Sequence, residues 1–180
     1  MRIIAGSRKG HRLVAPRGRD TRPTGDRQRE AVFNLVGPSV EGARVLDLFA
    51  GSGAMGLEAL SRGALAAVFV DADREAIAAI ERNLDKLRLT GATVLLDDAA
   101  RVLATEAAAG RRYDLVLEDP PYRELAGLLP ALGRHLPSVL EPGGIVVVES
   151  DARNEPALPL PLRTTRRYGS TRVTVFEAPG

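Results

Sequence analysis

The sequence predicts an α/β protein. We expect a doubly wound, mostly parallel sheet of seven strands with helices on both faces, preceded by a small N-terminal β-hairpin. Three observations predict it. Short apolar runs alternate with helical patterns from Arg44 to Glu149. The first run leads into a glycine-rich turn, Gly51-Ser52-Gly53-Ala54-Met55-Gly56, that opens a helical pattern. Four successive runs end in acids: Asp47, Asp71, Asp97 or Asp98, and Asp119. In open α/β sheets ligands bind at the carboxyl ends of the strands, so these acids should converge on one functional edge.

Taken in order, Arg2 to Ala5 and His11 to Val14 are strand-like runs around Gly6-Ser7-Arg8-Lys9-Gly10, which predicts a hairpin with a basic tip. Pro16 to Thr24 is a polar link. Gly25 to Val36 reads as a helix that Gly37-Pro38 ends. Val45, Leu46, Leu48 and Phe49 fit a strand buried on both faces, and Ala54 to Arg62 fits the helix after it. The alternation continues with a strand at Ala66 to Val70, a helix at Arg74 to Leu89, a strand at Thr93 to Leu96 and a helix at Ala99 to Ala109. A strand at Tyr113 to Leu117 follows. Arg123 to Leu140 should be a helix broken near Pro130 and Pro137. Glu141-Pro142-Gly143-Gly144 should turn into a strand at Ile145 to Glu149. Leu162 to Tyr168 and Arg172 to Glu177, joined by Gly169-Ser170, should add an antiparallel edge. The expected organisation is a basic hairpin arm over 1–20 and one α/β domain over 21–180.

Composition excludes several function classes. The 180 residues contain no cysteine and only two histidines, His11 and His135, so disulfides, thiolate sites and histidine-rich metal sites are excluded; no metal is expected. No apolar run approaches a membrane span, and the N-terminus lacks a signal-peptide core, which predicts a cytoplasmic protein. The net charge of +2 conceals an asymmetry. Met1 to Glu30 carries nine Lys/Arg against three acids, a charge of +6, which leaves −4 on the rest. A basic end on a mildly acidic body points to a polyanionic partner.

The glycine turn admits two ligands. Gly51-Ser52-Gly53-Ala54-Met55-Gly56 with Asp71 downstream resembles a dinucleotide fingerprint. Asp47 at the end of the strand would repel a pyrophosphate, however. S-adenosylmethionine carries a cationic sulfonium and ammonium and no phosphate, so an acid there suits it. Asp71 suits the ribose hydroxyls, and Asp98-Ala99 suits the adenine amine, although Asp is also a common helix N-cap.

Asp119-Pro120-Pro121-Tyr122 is the second specific feature. Two prolines fix φ and remove two backbone donors, leaving carbonyls as acceptors. Asp119 adds a carboxylate and Tyr122 a flat aromatic face. Such a set suits an exocyclic amine on a planar base. Accepting the amine hydrogens localises its lone pair toward a methyl donor, and stacking contributes about 1–3 kcal/mol per base. Reaching a base this way requires an unstacked or flipped nucleotide.

Asp47-Leu48-Phe49-Ala50-Gly51-Ser52-Gly53 together with Asp119-Pro120-Pro121-Tyr122 resembles the class I, Rossmann-like S-adenosylmethionine-dependent amino-methyltransferases. Arg2-Ile3-Ile4-Ala5-Gly6, Arg22-Pro23-Thr24, Arg29-Glu30-Ala31-Val32-Phe33-Asn34 and Tyr168-Gly169-Ser170-Thr171 narrow the resemblance to the RsmD-type methyltransferases, across essentially the whole chain. These modify the N2 amine of one guanine in bacterial small-subunit (16S) ribosomal RNA. The resemblance implies that Asp119 and the Pro120 carbonyl engage the amine and that Tyr122 stacks on the base. It implies a cofactor pocket built from Asp47, Phe49, Gly51, Ser52 and Gly53 on one side. Asp71, Ala72, Asp98, Ala99 and Asp119 complete it. Arg2, Arg8, Lys9 and Arg12 of the hairpin would grip RNA, with Arg22, Thr24, Arg29 and Asn34 bordering the substrate. The expected partner is 16S rRNA within a 30S subunit or an assembly intermediate, met by a monomer. The rival readings are an amino-methyltransferase of DNA bases or of a protein glutamine amide, a catalytically silent RNA-binding protein, and a dinucleotide oxidoreductase.

Overall fold

The computed structural model describes residues 1–16 and 25–180, and of Tyr122 it describes the backbone. The expectations placed on Arg22 and Thr24, and most of the Pro16 to Thr24 link, lie outside these residues, as does the Tyr122 side chain. The elements in chain order are α1 (Asp26–Val36), β1 (Arg44–Leu48), α2 (Ala54–Ser61), β2 (Ala66–Asp71), α3 (Arg74–Leu87), β3 (Ala92–Leu96), α4 (Ala99–Ala108), β4 (Tyr113–Glu118), α5 (Tyr122–Val139), β5 (Leu140–Asp151), β6 (Leu162–Tyr168) and β7 (Thr171–Glu177). The strands form one seven-stranded sheet in the order β3-β2-β1-β4-β5-β7-β6. β1 to β5 run parallel, and β7 is antiparallel to both β5 and β6. The mostly parallel α/β fold expected from the sequence is the fold observed.

Alternation of side chains along the buried strands splits the core in two. Val45, Leu115, Leu117 and Val147 point to one face, where they pack with Val32 and Phe33 of α1, Leu57 of α2 and Ile80 of α3. Leu46, Leu48, Val116, Val146 and Val148 point to the other, against Leu103 of α4 and Leu132, Leu136 and Val139 of α5. Two apolar faces explain why these strands read as continuous hydrophobic runs. No helix among the described residues is long and apolar enough to cross a membrane.

Two local expectations are corrected. α5 runs unbroken through Pro130 and Pro137. Both prolines lie on its exposed side, where water satisfies the freed carbonyls, while Leu125, Leu132, Leu136 and Val139 anchor the opposite side in the core. Glu141 to Gly144 forms no separate turn. β5 already starts at Leu140, and the four residues are taken up as an irregularity in register between Tyr113↔Leu140 and Leu115↔Ile145, with Gly143 at φ 72°.

The N-terminal hairpin expected from the sequence is present. Its arms bond to each other from the Ile3 amide to the His11 carbonyl at 2.9 Å, from the Gly10 amide to the Ile3 carbonyl at 2.8 Å and from the Leu13 amide to the Met1 carbonyl at 3.1 Å, with a bridge at Arg2↔Arg12, and its tip closes as a 3-10 turn over Gly6–Arg8. Other backbone groups of the hairpin bond the body. Glu58 of α2, fully buried, accepts hydrogen bonds from the Ile4 and Ala5 amides at 2.8 and 3.0 Å. Ser61 accepts from the Arg8 amide at 3.0 Å and donates to the Ala5 carbonyl at 2.6 Å. A Cβ on Gly6 would stand 1.8 Å from the Ser61 carbonyl oxygen, so only glycine permits this approach. Ile3 is wholly buried in the core on the α1 face.

Arg29 is the charge that balances this arrangement. Its guanidinium is fully buried, pairs with Asp26 at 3.0 Å, reaches Glu58 at 3.6 Å and donates to the Arg2 carbonyl. Arg62 meets Glu58 at 2.8 Å. Removing one member of a buried ion pair leaves an uncompensated charge. Glu58→Ala is therefore expected to destabilise the fold by about 3–5 kcal/mol in urea denaturation. A loss below about 1 kcal/mol would contradict the role assigned to Glu58.

Candidate functional site

The chain winds from β1 through β2 to β3 on one side, then crosses back to lay β4 against the other side of β1. Between β1 and β4 lies the switch point where such sheets open a crevice. The glycine turn leaves β1 there. Phe49 takes φ 62°, a conformation unusual for a bulky residue, and Gly51 and Gly53 take φ 56° and 77°. A Cβ on Gly51 would meet only the Phe49 carbonyl oxygen, at 4.0 Å, so the turn is uncrowded there. Gly53 sits at the N-cap of α2. Gly56 has a different task. A Cβ there would strike the Phe69 ring at 2.4 Å, so this glycine lets α2 pack on β2.

Two strand-end acids hold this turn. Asp47 accepts a hydrogen bond from the Gly56 amide at 2.8 Å. Asp71 accepts from the Gly51 amide at 2.8 Å through one oxygen and from the Asp73 amide at 2.9 Å through the other. Asp71 thus supports the turn from behind, a task the sequence reading did not assign to it. Asp98 is the N-cap of α4, accepting from the Arg101 amide at 2.9 Å, and Asp97 accepts from the Asp98 amide and pairs with Arg101 at 3.2 Å. Ala72 is exposed and Ala99 buried beside these acids. The Ser52 carbonyl accepts from Asn83, whose amide also bonds both backbone groups of Val14. Asn83, fully buried, therefore ties the N-terminal stretch to the glycine turn; nothing in the sequence reading singled it out.

The tetrapeptide follows β4. Asp119 is half-buried, Pro120 buried, and the Pro121 carbonyl accepts from the Glu124 amide as α5 begins. Asp47, Met55, Leu117, Glu118, Asp119, Val147 and Glu149 line one small cavity. The structure thus brings together the first-strand acid and the acid of the Pro-Pro turn.

It also adds two acids that sequence reasoning did not assign. Glu118 and Glu149 are 2% and 3% exposed. Both Glu118 carboxylate oxygens, and Oε1 of Glu149, lack a hydrogen-bond partner among the described residues; Gln28 of α1 donates to Glu149 Oε2 at 2.7 Å. The signal was an acid closing an otherwise apolar strand, as in Ile145-Val-Val-Val-Glu149.

Burial and mutual repulsion disfavour the charged forms. Burial first, then the negative charges of Asp119 and Asp71, push Asp47 up to about 7. Burial pushes Glu118 up to about 8. Burial and Asp119 hold Glu149 well above the ordinary range. Among the described residues no Lys or Arg lines this cavity, and acids gathered there suit a cationic ligand.

The basic residues are less uniformly available. Lys9, Arg12 and Asn34 are exposed. Arg2 is exposed and pairs with Asp26 at 3.2 Å. The Arg8 guanidinium donates to the carbonyls of Leu87 and Arg88, anchoring the hairpin to the end of α3. Arg29, expected to border the substrate, is instead sealed beneath the N-terminal stretch by its pairing with Asp26 and Glu58.

The model of the family described as Conserved hypothetical protein 95 matches residues 1–177. YlbH of Bacillus subtilis is 42% identical over 186 residues, covering all of both chains. The chain belongs to this family. Membership extends to the RsmD proteins. Ribosomal RNA small subunit methyltransferase D of Escherichia coli K12 is 38% identical over 160 residues, which cover 86% of this chain and 76% of that protein. The solved structure of the yhhF protein of Escherichia coli superposes with a TM-score of 0.88 at 33% identity, covering 99% of this chain and 98% of that one. The Thermus thermophilus 16S rRNA N2 methyltransferase RsmC, solved with AdoMet and guanosine, matches 83% of this RsmD-family chain and 41% of its own at 25% identity and a TM-score of 0.63.

The raised acids set a pH dependence. An unfolded chain titrates these carboxyls near 4. Between that value and the folded values of about 7 and about 8, the folded chain binds more protons, so stability falls as pH rises through this window. The contribution is fully present below about 4 and lost above the folded values. Urea midpoints should decline between about pH 5.5 and 8, and Asp47→Asn should flatten the decline. An unchanged slope in the variant would count against the burial of a protonated Asp47.

Proposed function

We propose that the acidic edge binds S-adenosylmethionine and that the chain methylates the N2 amine of a guanine in 16S rRNA. The protein is a methyltransferase of the RsmD family. The observation that carries the reading is the cavity at the switch point that Asp47 and Asp119 share, lined by acids and, among the described residues, by no basic side chain. The names of the RsmD relatives, and the AdoMet and guanosine bound to RsmC, support an rRNA guanine over a DNA base or a protein glutamine amide.

The residues present fit the cofactor. Gly51 leaves room at the turn, and Gly53, packed against Ile80 and Leu57, lets the turn close onto α2 and α3. Asp47 and Asp119 supply negative charge for a sulfonium and an ammonium, and Asp71 and Asp98 stand at the ends of β2 and β3 on the side assigned to ribose and adenine, with Phe49, Ser52, Ala72 and Ala99 beside them. S-adenosylmethionine, when bound, supplies an electrophilic methyl on a positively charged sulfur.

The chain's own groups do the rest. Asp119 and the Pro120 carbonyl accept the two hydrogens of the guanine amine, which turns its lone pair out of the ring and toward the methyl. Asp119 is placed to receive the proton that the methylated amine gives up. Tyr122, the first residue of α5, is assigned the stacking face. Arg2, Lys9 and Arg12 meet the RNA backbone, where contacts supply affinity without reading sequence; Arg8 and Arg29 hold the hairpin, and Arg22, Thr24 and Asn34 are assigned to the substrate border. We place the reaction in the cytoplasm, with residues 1–20 as the RNA grip on the 21–180 catalytic unit, acting as a monomer on a 30S particle or assembly intermediate.

Incubation with labelled methyl donor and 30S particles lacking the modification should place label in N2-methylguanosine on nucleoside mass analysis. Label found only in adenosine, or only in protein, would defeat the assignment. Asp119→Ala should lower the methylation rate by about 10²–10⁴-fold.

A further inference from the structure

We propose that Glu149 reads the target base, accepting the N1–H of guanine through Oε1 and so making the site specific for guanine over bases that carry a lone pair at N1. The inference rests on the methyltransferase reading above and adds a specificity-determining residue to it.

Three observations carry it. First, Glu149 lines the same cavity as Asp119 and Asp47. β4 and β5 are parallel neighbours whose last paired residues are Glu118 and Val148, so Asp119, just past the end of β4, and Glu149 of β5 come out at the same edge. Second, the carboxylate is 3% exposed, and one oxygen is committed while the other is not. Gln28 donates to Oε2 at 2.7 Å, and Oε1 has no partner among the described residues. A buried acceptor left open is destabilising unless a ligand completes it. Third, the strand order assigns it to the substrate side. The glycine turn, Asp47 and Asp71 belong to β1 and β2, whereas β5 lies beyond β4 in the opposite direction. If the glycine turn, Asp47 and Asp71 hold the cofactor, the β5 side would be left to the acceptor base.

The chemistry matches one base edge. Guanine presents two adjacent donors, the N2 amine and N1–H. Asp119 and the Pro120 carbonyl take the amine; a second acid beside Asp119 takes N1–H. Adenine, or 2,6-diaminopurine, has a lone pair at N1, which a carboxylate repels. 2,6-Diaminopurine also keeps the 2-amino group, so it separates recognition at N1 from the presence of the reacting amine. The cationic methyl carrier beside Asp119 offsets the repulsion between the two acids, which restores Glu149 as an acceptor when the cofactor is seated.

The test uses reconstituted 30S particles with guanine or 2,6-diaminopurine at the methylated position. The wild-type chain should prefer guanine on the order of a hundred-fold in kcat/KM. Glu149→Gln keeps the shape. Gln28 retains the amide oxygen and turns the NH2 toward the base, so the preference should fall to within about three-fold or reverse. The ratio is measured on one enzyme preparation and does not depend on the folded fraction. Affinity for S-adenosylmethionine should change less than about three-fold. An unchanged guanine preference in the variant overturns the inference while leaving the methyltransferase reading intact. So does a loss of cofactor affinity with the preference retained, which would assign Glu149 to the cofactor. Failure of the wild-type chain to methylate guanine at all would remove the functional reading, and this inference with it.

Discussion

A carboxylate that reaches the dry end of a parallel strand disfavours its own charge, and the site depends on that constraint. Asp47 is 3% exposed, beneath the first turn of α2, and its hydrogen bond from the Gly56 amide fixes how that helix leaves the glycine turn. Gly56 in turn exists because Phe69 and Asp47 leave no room for a Cβ. The same acid, with Asp119 and Glu149, gathers negative potential in a small cavity at the switch point. Folding tolerates this only by raising the proton affinity of the group. A cationic ligand lowers it again, so packing and ligand choice come from one residue.

The N-terminal stretch is tied to the same framework from the other side. Glu58 takes its backbone amides, Arg29 neutralises Glu58 from α1, and Asn83 joins Val14 to Ser52 of the glycine turn. The basic hairpin is thereby fixed in orientation relative to the glycine turn. Arg8 and Arg29 give up contact with a partner to secure it, while Lys9 and Arg12 keep their side chains in solvent.

Much of this was legible in the residues. The period and apolarity of Val45 to Leu48, Tyr113 to Leu117 and Ile145 to Val148 marked a doubly covered sheet, and Asp47 and Asp119, each singled out in the sequence, line one cavity at its edge. What escaped had physical reasons. Pro130 and Pro137 do not break α5, because tertiary anchoring of Leu132 and Leu136 overrides local propensity. The Ile4 and Ala5 amides of the hairpin find Glu58, 54 and 53 residues away, and no local pattern announces a partner at that distance. Arg29 carries a charge that suggests an RNA contact, yet its burial is set by Asp26 and Glu58. Glu118 and Glu149 each read as one polar residue closing an apolar strand; only the strand order shows that Glu149 comes out at the same edge as Asp119.

The central claim, that buried acids of the β1–β4 crevice await a positive ligand, is tested most directly by the pH dependence of S-adenosylmethionine affinity, measured calorimetrically in the wild-type chain and in Asp47→Asn. With Asp47 raised to about 7, affinity in the wild type should tighten several-fold between about pH 6 and 8 as the acid ionises, and the variant should bind more weakly with a smaller dependence. Equal affinity and equal pH dependence in the two proteins would contradict the account.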